Sequence, residues 1–288
     1  LMMNLTIDRC VLPEKLELED KWILSKLNAL IPDVTDNMEK YELGVAAGKV
    51  YDFIWDSYCD WYIELAKTRL QGEDEDAKVR AQQVLCHVLT ETLKLLHPFM
   101  PFITEEIWQA LPHEGEFLML ADWPGYSGAL SFPEEEQAME LIMDVIRAVR
   151  ARRAEMNVPP SKKARLIIAA DRTDVFERGI PFLMKLAYAS QVSIAGEPPD
   201  HAAGMVTAVT HEARMFIPLS ELVDVEKEKA RMEKEIKKST GELDGLRAKL
   251  SNPGFLNKAP AHVIAGEQER AEKLTSLIEK LDEQLKSM

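Results

Sequence analysis

Between Arg147 and Arg165 the chain carries Arg147, Arg150, Arg152, Arg153, Lys162, Lys163 and Arg165 against a single acid, Glu155. Cationic side chains at that density suit one chemistry, multivalent pairing with phosphodiester oxygens, because each neutralised phosphate releases condensed counterions. A solvated helix face is the competing reading of the same residues. The setting sharpens the contrast. The whole chain has 35 Lys+Arg and 49 Asp+Glu, a net charge of −14, which speaks against indiscriminate nucleic-acid binding. Nothing in the sequence suits bond-making chemistry. The 6 histidines are scattered without metal-ligand spacing. Cys10, Cys59 and Cys86 form no CxxC pair, so neither a zinc site nor a disulfide framework is implied, as in a protein of a reducing cytosol. No run approaches the ~20 apolar residues of a membrane span.

The elements that position these residues follow from hydrophobic periodicity. Residues 1–17 read as an irregular lead-in with Pro13 as a breaker. Helical spacing runs from Leu18 to Leu30, Pro32 kinks or ends it, and Val34, Met38 and Tyr41 continue a short second stripe. Residues 43–70 form the longest uninterrupted helical pattern of the first half, and residues 79–96 another. His97-Pro-Phe-Met-Pro-Phe-Ile-Thr-Glu-Glu-Ile-Trp108 then punctuates the chain, with Thr104 as a helix N-cap. Its Phe99, Met100, Phe102, Ile103, Ile107 and Trp108 are expected to pack as an apolar wedge on residues 50–65, which include Trp61. Residues 117–120 read as a strand. A helix starts at Pro133 and runs to about Met156, where Pro159-Pro160 follow.

The period then changes. Residues 164–170 and 191–195 read as short strands around a helix over 173–189, and residues 205–209 and 213–219 as a strand pair. Beyond them, Leu222, Ile236, Leu243 and Leu250 fall seven or fourteen apart, and Val225, Met232 and Leu246 fill a second seam. Leu274, Leu277, Ile278, Leu281 and Leu285 make a further stripe after a turn-rich break at 251–260. Two heptad helices joined by a loop form an antiparallel hairpin, with Lys229, Ser239 and Gly241 loosening its first helix. Residues 223–288 hold 13 basic and 13 acidic side chains, so all the excess acid lies upstream. The fold expected is mainly α: a helical bundle over 1–157, a small α/β module over 158–221 and a coiled-coil hairpin over 222–288. From the heptads alone, the hairpin reads more readily as an oligomerisation coil, as in a scaffold protein.

Five stretches carry a resemblance. Asp20-Lys-Trp-Ile-Leu-Ser-Lys-Leu27, Cys59-Asp-Trp-Tyr-Ile-Glu-Leu-Ala-Lys67, the His97–Trp108 stretch and Arg152-Arg-Ala-Glu-Met-Asn-Val-Pro-Pro-Ser-Lys162 resemble the anticodon-binding region of bacterial valyl-tRNA synthetases. Leu250-Ser-Asn-Pro-Gly-Phe-Leu-Asn-Lys-Ala-Pro260 resembles the tip of that family's C-terminal arm. The bundle motifs are shared in part with isoleucyl- and leucyl-tRNA synthetases, whereas those relatives do not end in such a hairpin. The HIGH and KMSKS sequences by which the family binds ATP are absent. The resemblance therefore implies a C-terminal fragment, in which Leu1–Leu5 follows a missing catalytic region.

What the resemblance implies about function is specific. The parent attaches valine to tRNA(Val) with ATP and Mg²⁺, acts in the cytoplasm and is monomeric. This part recognises the anticodon side and the elbow of the tRNA and performs none of the chemistry. Asn4, Lys21, Trp22 and Lys26 are candidates for the anticodon side, Trp22 being read more readily as core than as a stacking platform. Arg147, Arg150, Arg152, Arg153, Lys162 and Lys163 are candidates for backbone contact. In the arm the candidates are Lys237, Lys238, Arg247, Lys249 and Lys258. No catalytic residue, metal or cofactor is assigned to this chain.

Overall fold

The computed structural model describes residues 5–199, 203–222, 225–251 and 261–287. The chain divides into two compact units. The first comprises residues 1–148, 171–187 and 210–212; the second comprises residues 149–170, 188–209 and 213–288. Among the described residues, no helix is long and apolar enough to cross a membrane.

The first unit is a helical bundle. Helix α1 (Leu18–Glu39) continues past Pro32, so it does not end there. Burial on both sides of the proline, at Ile31 and Val34, holds the helix together there. Tyr41 lies beyond its end in a left-handed conformation with φ 60° and is exposed, rather than continuing a buried stripe. Residues 43–70 are continuous as expected, but not uniformly α: α2 (Leu43–Asp52) passes into a π-helical segment (Phe53–Tyr62) and then α3 (Ile63–Leu70). Helix α4 (Glu75–Leu96) starts earlier than its apolar stripe because Asp74 caps it, accepting the Ala77 N–H at 3.0 Å.

Helix α5 (Pro101–Gln109) corrects the expectation for the His97–Trp108 stretch. Pro101 is its first residue, a position where the missing N–H costs nothing. Thr104 is therefore inside the helix and buried, donating to the Met100 carbonyl at 2.8 Å and facing His97 Nδ1 at 2.7 Å, instead of capping. That start turns Trp108 into the core and Phe102 outward, where it is 90% exposed. The apolar wedge is thus only partly a core. Residues 118–120 form a 3-10 turn, not a strand, tied to α5 by the Leu118 N–H donating to Glu105 Oε2 at 2.9 Å. Helix α6 (Pro133–Glu155) starts and stops where expected. Two short helices, α7 (Thr173–Arg178) and α8 (Ile180–Leu186), replace the single helix expected over 173–189. They part at Gly179, where a Cβ would lie 2.8 Å from the Ile142 side chain, and Pro181 opens the second.

A buried polar cluster fixes α1 in this bundle. Asp20, fully buried, accepts hydrogen bonds from the Tyr62 hydroxyl at 2.6 Å and the Glu17 N–H at 3.0 Å. Arg69 Nη1 donates to it at 2.8 Å, and Arg69 Nη2 pairs with both Asp20 and Glu19. Burial pushes the Glu19 carboxyl up to about 7, against the pull of Arg69 and with a further push from Asp20. The raised value means that the folded state holds its proton where the unfolded chain has lost it. Glu19 therefore stabilises the fold fully below the unfolded carboxylate range, and that contribution drains away between about pH 4.5 and 7. Glu19→Gln is expected to flatten the pH dependence of the denaturation midpoint over that window and to raise stability at pH 8. An unchanged slope contradicts the assignment.

The second unit carries a four-stranded sheet in the order 189–195, 164–170, 213–218, 205–209. Strands β1 (Ala164–Ala170) and β2 (Ala189–Ala195) are parallel. Strands β3 (Met205–Val209) and β4 (Ala213–Pro218) form the expected antiparallel pair, and β4 also runs antiparallel to β1. A short helix, α9 (Leu219–Leu222), leads to the long helices α10 (Val225–Leu250) and α11 (Ala261–Ser287). These are antiparallel: Lys249 pairs with Glu267, and Glu242, seven residues earlier, approaches Arg270. Ser239, Leu243, Leu246 and Leu281 are buried, so Ser239 occupies the seam rather than breaking it. Leu277, expected in the stripe, is exposed because it stands off the line through Leu274, Ile278 and Leu281. The side chains of Val225, Met232 and Leu285 and the loop at 252–260 lie outside the described residues.

Candidate nucleic-acid interface

The turn joining α6 to β1 is built around Arg153. This side chain is only 3% exposed, which corrects its expected place on a solvent face. Its Nη2 donates to the Pro159 carbonyl at 3.3 Å and to that of Lys162, and its guanidinium lies 5.4 Å from the Tyr188 ring centroid. A buried guanidinium bound to backbone carbonyls shapes a loop; it does not reach for phosphate. Asn157 and Tyr188, at φ 53° and 56°, are the left-handed residues of this region.

Around that clamp the other basic side chains face outward in varying degree. Arg152 is exposed and pairs with Glu155 at 2.8 Å, a surface contact of small worth that leaves the guanidinium accessible. Arg150 is half-buried, 5.8 Å from the same Tyr188 ring. Lys163 is exposed and Lys162 half-buried. The Arg165 N–H and guanidinium donate to Glu221 at 2.7 and 2.5 Å, and this pairing, the N–H foremost, holds the Glu221 carboxyl below its usual range. Tyr188, which bears two of the arginines, was not singled out by sequence. An isolated tyrosine at a helix end carries no signal for it.

In the bundle, Trp22, Lys26 and Arg147 converge on one cleft of about 330 Å³. Asp56, Asp60 and Glu140 line it too, so its charge is mixed. Trp22 is 1% exposed, with its indole N–H 3.5 Å from Glu140, and cannot serve as a base-stacking platform. Lys26 pairs with Glu136 at 3.2 Å and Glu140 at 3.0 Å. Burial opposes its charge, but the two carboxylates outweigh burial and raise its pKa. Lys21 pairs with Glu135 at 2.8 Å. These lysines tie α1 to the acidic first turn of α6, alongside Ser25, which donates to Glu136 at 2.9 Å. Arg147 pairs with Asp144 and stands 4.9 Å from the Trp61 ring centroid, over a ring that is itself buried. The exposed stacked pair in this unit is Tyr51 with Trp55, at 6.4 Å and 2° between planes. Sequence placed both in the core.

On the arm, Lys237, Lys238, Arg247 and Lys249 are exposed. Lys238 lies 4.0 Å from Glu242, and Lys249 spans to Glu267 at 2.7 Å. Asn4 and Lys258 lie outside the described residues. Among the described residues no cluster of three or more His, Cys, Asp or Glu could hold a metal ion.

Two families match this chain. "Anticodon-binding domain of tRNA ligase" covers residues 20–168, and "Valyl tRNA synthetase tRNA binding arm" covers residues 224–288. Curated relatives span nearly all of it. The valine–tRNA ligase of Clostridium acetobutylicum is 46% identical over 277 residues, 96% of this chain and 31% of the relative. That of Oceanobacillus iheyensis is 43% identical over 94% of this chain and 31% of the relative. That of Carboxydothermus hydrogenoformans is 47% identical over 89% and 29%. The chain thus spans about a third of the length of the relatives it matches.

Proposed function

Because the chain belongs to the family of tRNA-ligase anticodon-binding domains, we propose that it holds tRNA(Val) for valine–tRNA ligation and carries out none of the bond-making. The bundle faces the anticodon side and the arm formed by α10 and α11 grips the elbow. ATP and Mg²⁺ belong to a catalytic region with HIGH and KMSKS sequences, which this chain lacks. It acts in the cytoplasm as a monomer. The observation that carries this reading is the joint match of a bundle family and an arm family, in order, along one chain. Exposed cations support it: Arg152 and Lys163 near the Arg153 clamp, and Lys237, Lys238 and Arg247 on α10. Exposed bases of an anticodon loop and the phosphates of an elbow are the features that such surfaces can reach.

A gel shift with unmodified tRNA across a salt series tests the reading. Converting Arg150, Arg152 and Lys163 together to glutamine should weaken binding and flatten the log–log salt slope, by up to about one unit per lost phosphate contact. Helical content should not change, whereas Arg153→Gln should loosen the α6–β1 turn. An unaltered salt slope removes these side chains from the interface.

Removing residues 223–288 should weaken tRNA binding at least tenfold, about 1.4 kcal/mol, without changing which anticodon is preferred. The remaining sheet keeps its own strand pairing, so the loss belongs to the arm. Equal affinity after deletion, or a change from dimer to monomer as the only effect, assigns the arm to self-association instead.

A further inference from the structure

The sequence spaces Cys10 and Cys86 76 residues apart and implies no disulfide, yet the fold corrects this: the structure joins their sulfurs. We propose that Cys10 and Cys86 form a reversible redox tether that fastens the irregular lead-in, residues 5–17, onto α4.

The backbone is placed for this bond whether or not it is made. The two Cα atoms are 5.5 Å apart, within the ordinary span of a disulfide. Noncovalent contacts already hold the segment there. The Thr6 N–H donates to Gln82 Oε1 at 2.9 Å, and Leu5, Ile7 and Cys10 pack on a core of Cys86, Leu93, Trp108, Leu111 and Leu118. Closing the bond therefore requires little rearrangement, and opening it leaves a lead-in held by a few weak contacts.

The two sulfurs differ in access, which sets their roles. Cys86 is fully buried. Cys10 is half-buried and borders a cleft of about 380 Å³, where the Thr90 hydroxyl donates to its sulfur at 3.8 Å. That cleft gives a small oxidant access to the Cys10 sulfur. With a peroxide as oxidant, the Cys10 thiolate attacks one oxygen and breaks the O–O bond, giving a sulfenic acid and releasing hydroxide. The Cys86 sulfur then displaces the sulfenic oxygen, which leaves as water with the thiol proton. Two thiols are oxidised by two electrons and one peroxide is reduced to two waters. A small-molecule dithiol reverses the bond by exchange. Cys59, half-buried with its thiol pushed up by burial, has no cysteine partner among the described residues and serves as the internal control.

The experiment treats the full chain, purified in reductant, with one equivalent of hydrogen peroxide. Thiols are then alkylated under denaturing conditions and peptides identified by mass. The expected result is a Cys10–Cys86 linked peptide pair that dithiothreitol abolishes, with Cys59 fully alkylated. Amide exchange at Thr6 and its neighbours should slow at least tenfold in the oxidised chain and recover on reduction. Cys10→Ser, at a half-buried position, should show neither effect. Three outcomes overturn the proposal: Cys10 and Cys86 both remaining alkylatable, linkage through Cys59, or a Cys10–Cys86 link that leaves exchange in the lead-in unchanged.

Discussion

Asp20→Ala is expected to cost the bundle about 3–5 kcal/mol, the range for breaking a buried ion pair by removing one partner. Asp20 takes four hydrogen bonds, from Tyr62, from the Glu17 N–H and from both terminal nitrogens of Arg69. Alanine leaves the Tyr62 hydroxyl and the Glu17 N–H without that acceptor, and the Arg69 guanidinium with Glu19 alone. Each orphaned donor in a dry interior carries its own desolvation penalty. Glu19 is a poor substitute, since burial opposes the charged form of its carboxyl. Denaturant titration at pH 7 measures the loss. Removing Arg69 as well, as Asp20→Ala with Arg69→Met, should recover part of it, because the uncompensated cation is then gone. A single-variant loss under about 1 kcal/mol would show that the cluster contributes little.

A contrast between two large aromatics is the second expectation of comparable size. Trp22→Ala should cost about 3–5 kcal/mol, the usual range for a buried tryptophan, since its ring is 1% exposed between α1 and α6. Phe102→Ala should stay within about 0.5 kcal/mol, because a side chain 90% in water loses no burial. Both residues sit in helical stretches rich in apolar neighbours, and composition does not separate them. Thermal or chemical unfolding of the two variants in parallel gives the answer. Equal losses would mean that Phe102 is covered in solution.

The sequence by itself determined many of the local elements of this protein. Helices α4 and α6, the strands β1, β3 and β4 and the heptads of α10 are all legible, because a repeat of 3.6, 2 or 3.5 residues is imposed by backbone geometry wherever one face is buried. The motif resemblance likewise reads through to the family, since both matched families lie where the motifs stand. What only the tertiary structure decided is which faces found partners. Pro101 as first residue of α5 rotates Phe102 out and Trp108 in, a choice that depends on where the chain after His97 must go. Arg153 reads as one more cation in a basic run, yet carbonyls of Pro159 and Lys162 and the ring of Tyr188, brought together by the turn, take it out of solvent. Lys21 and Lys26 looked free because the glutamates that claim them are over a hundred positions away in sequence. Cys10 and Cys86 looked solitary for the same reason. Periodicity fixes which residues share a face, but burial and pairing depend on what the rest of the chain folds against that face. That information is spread over residues too distant in sequence for any local pattern to hold.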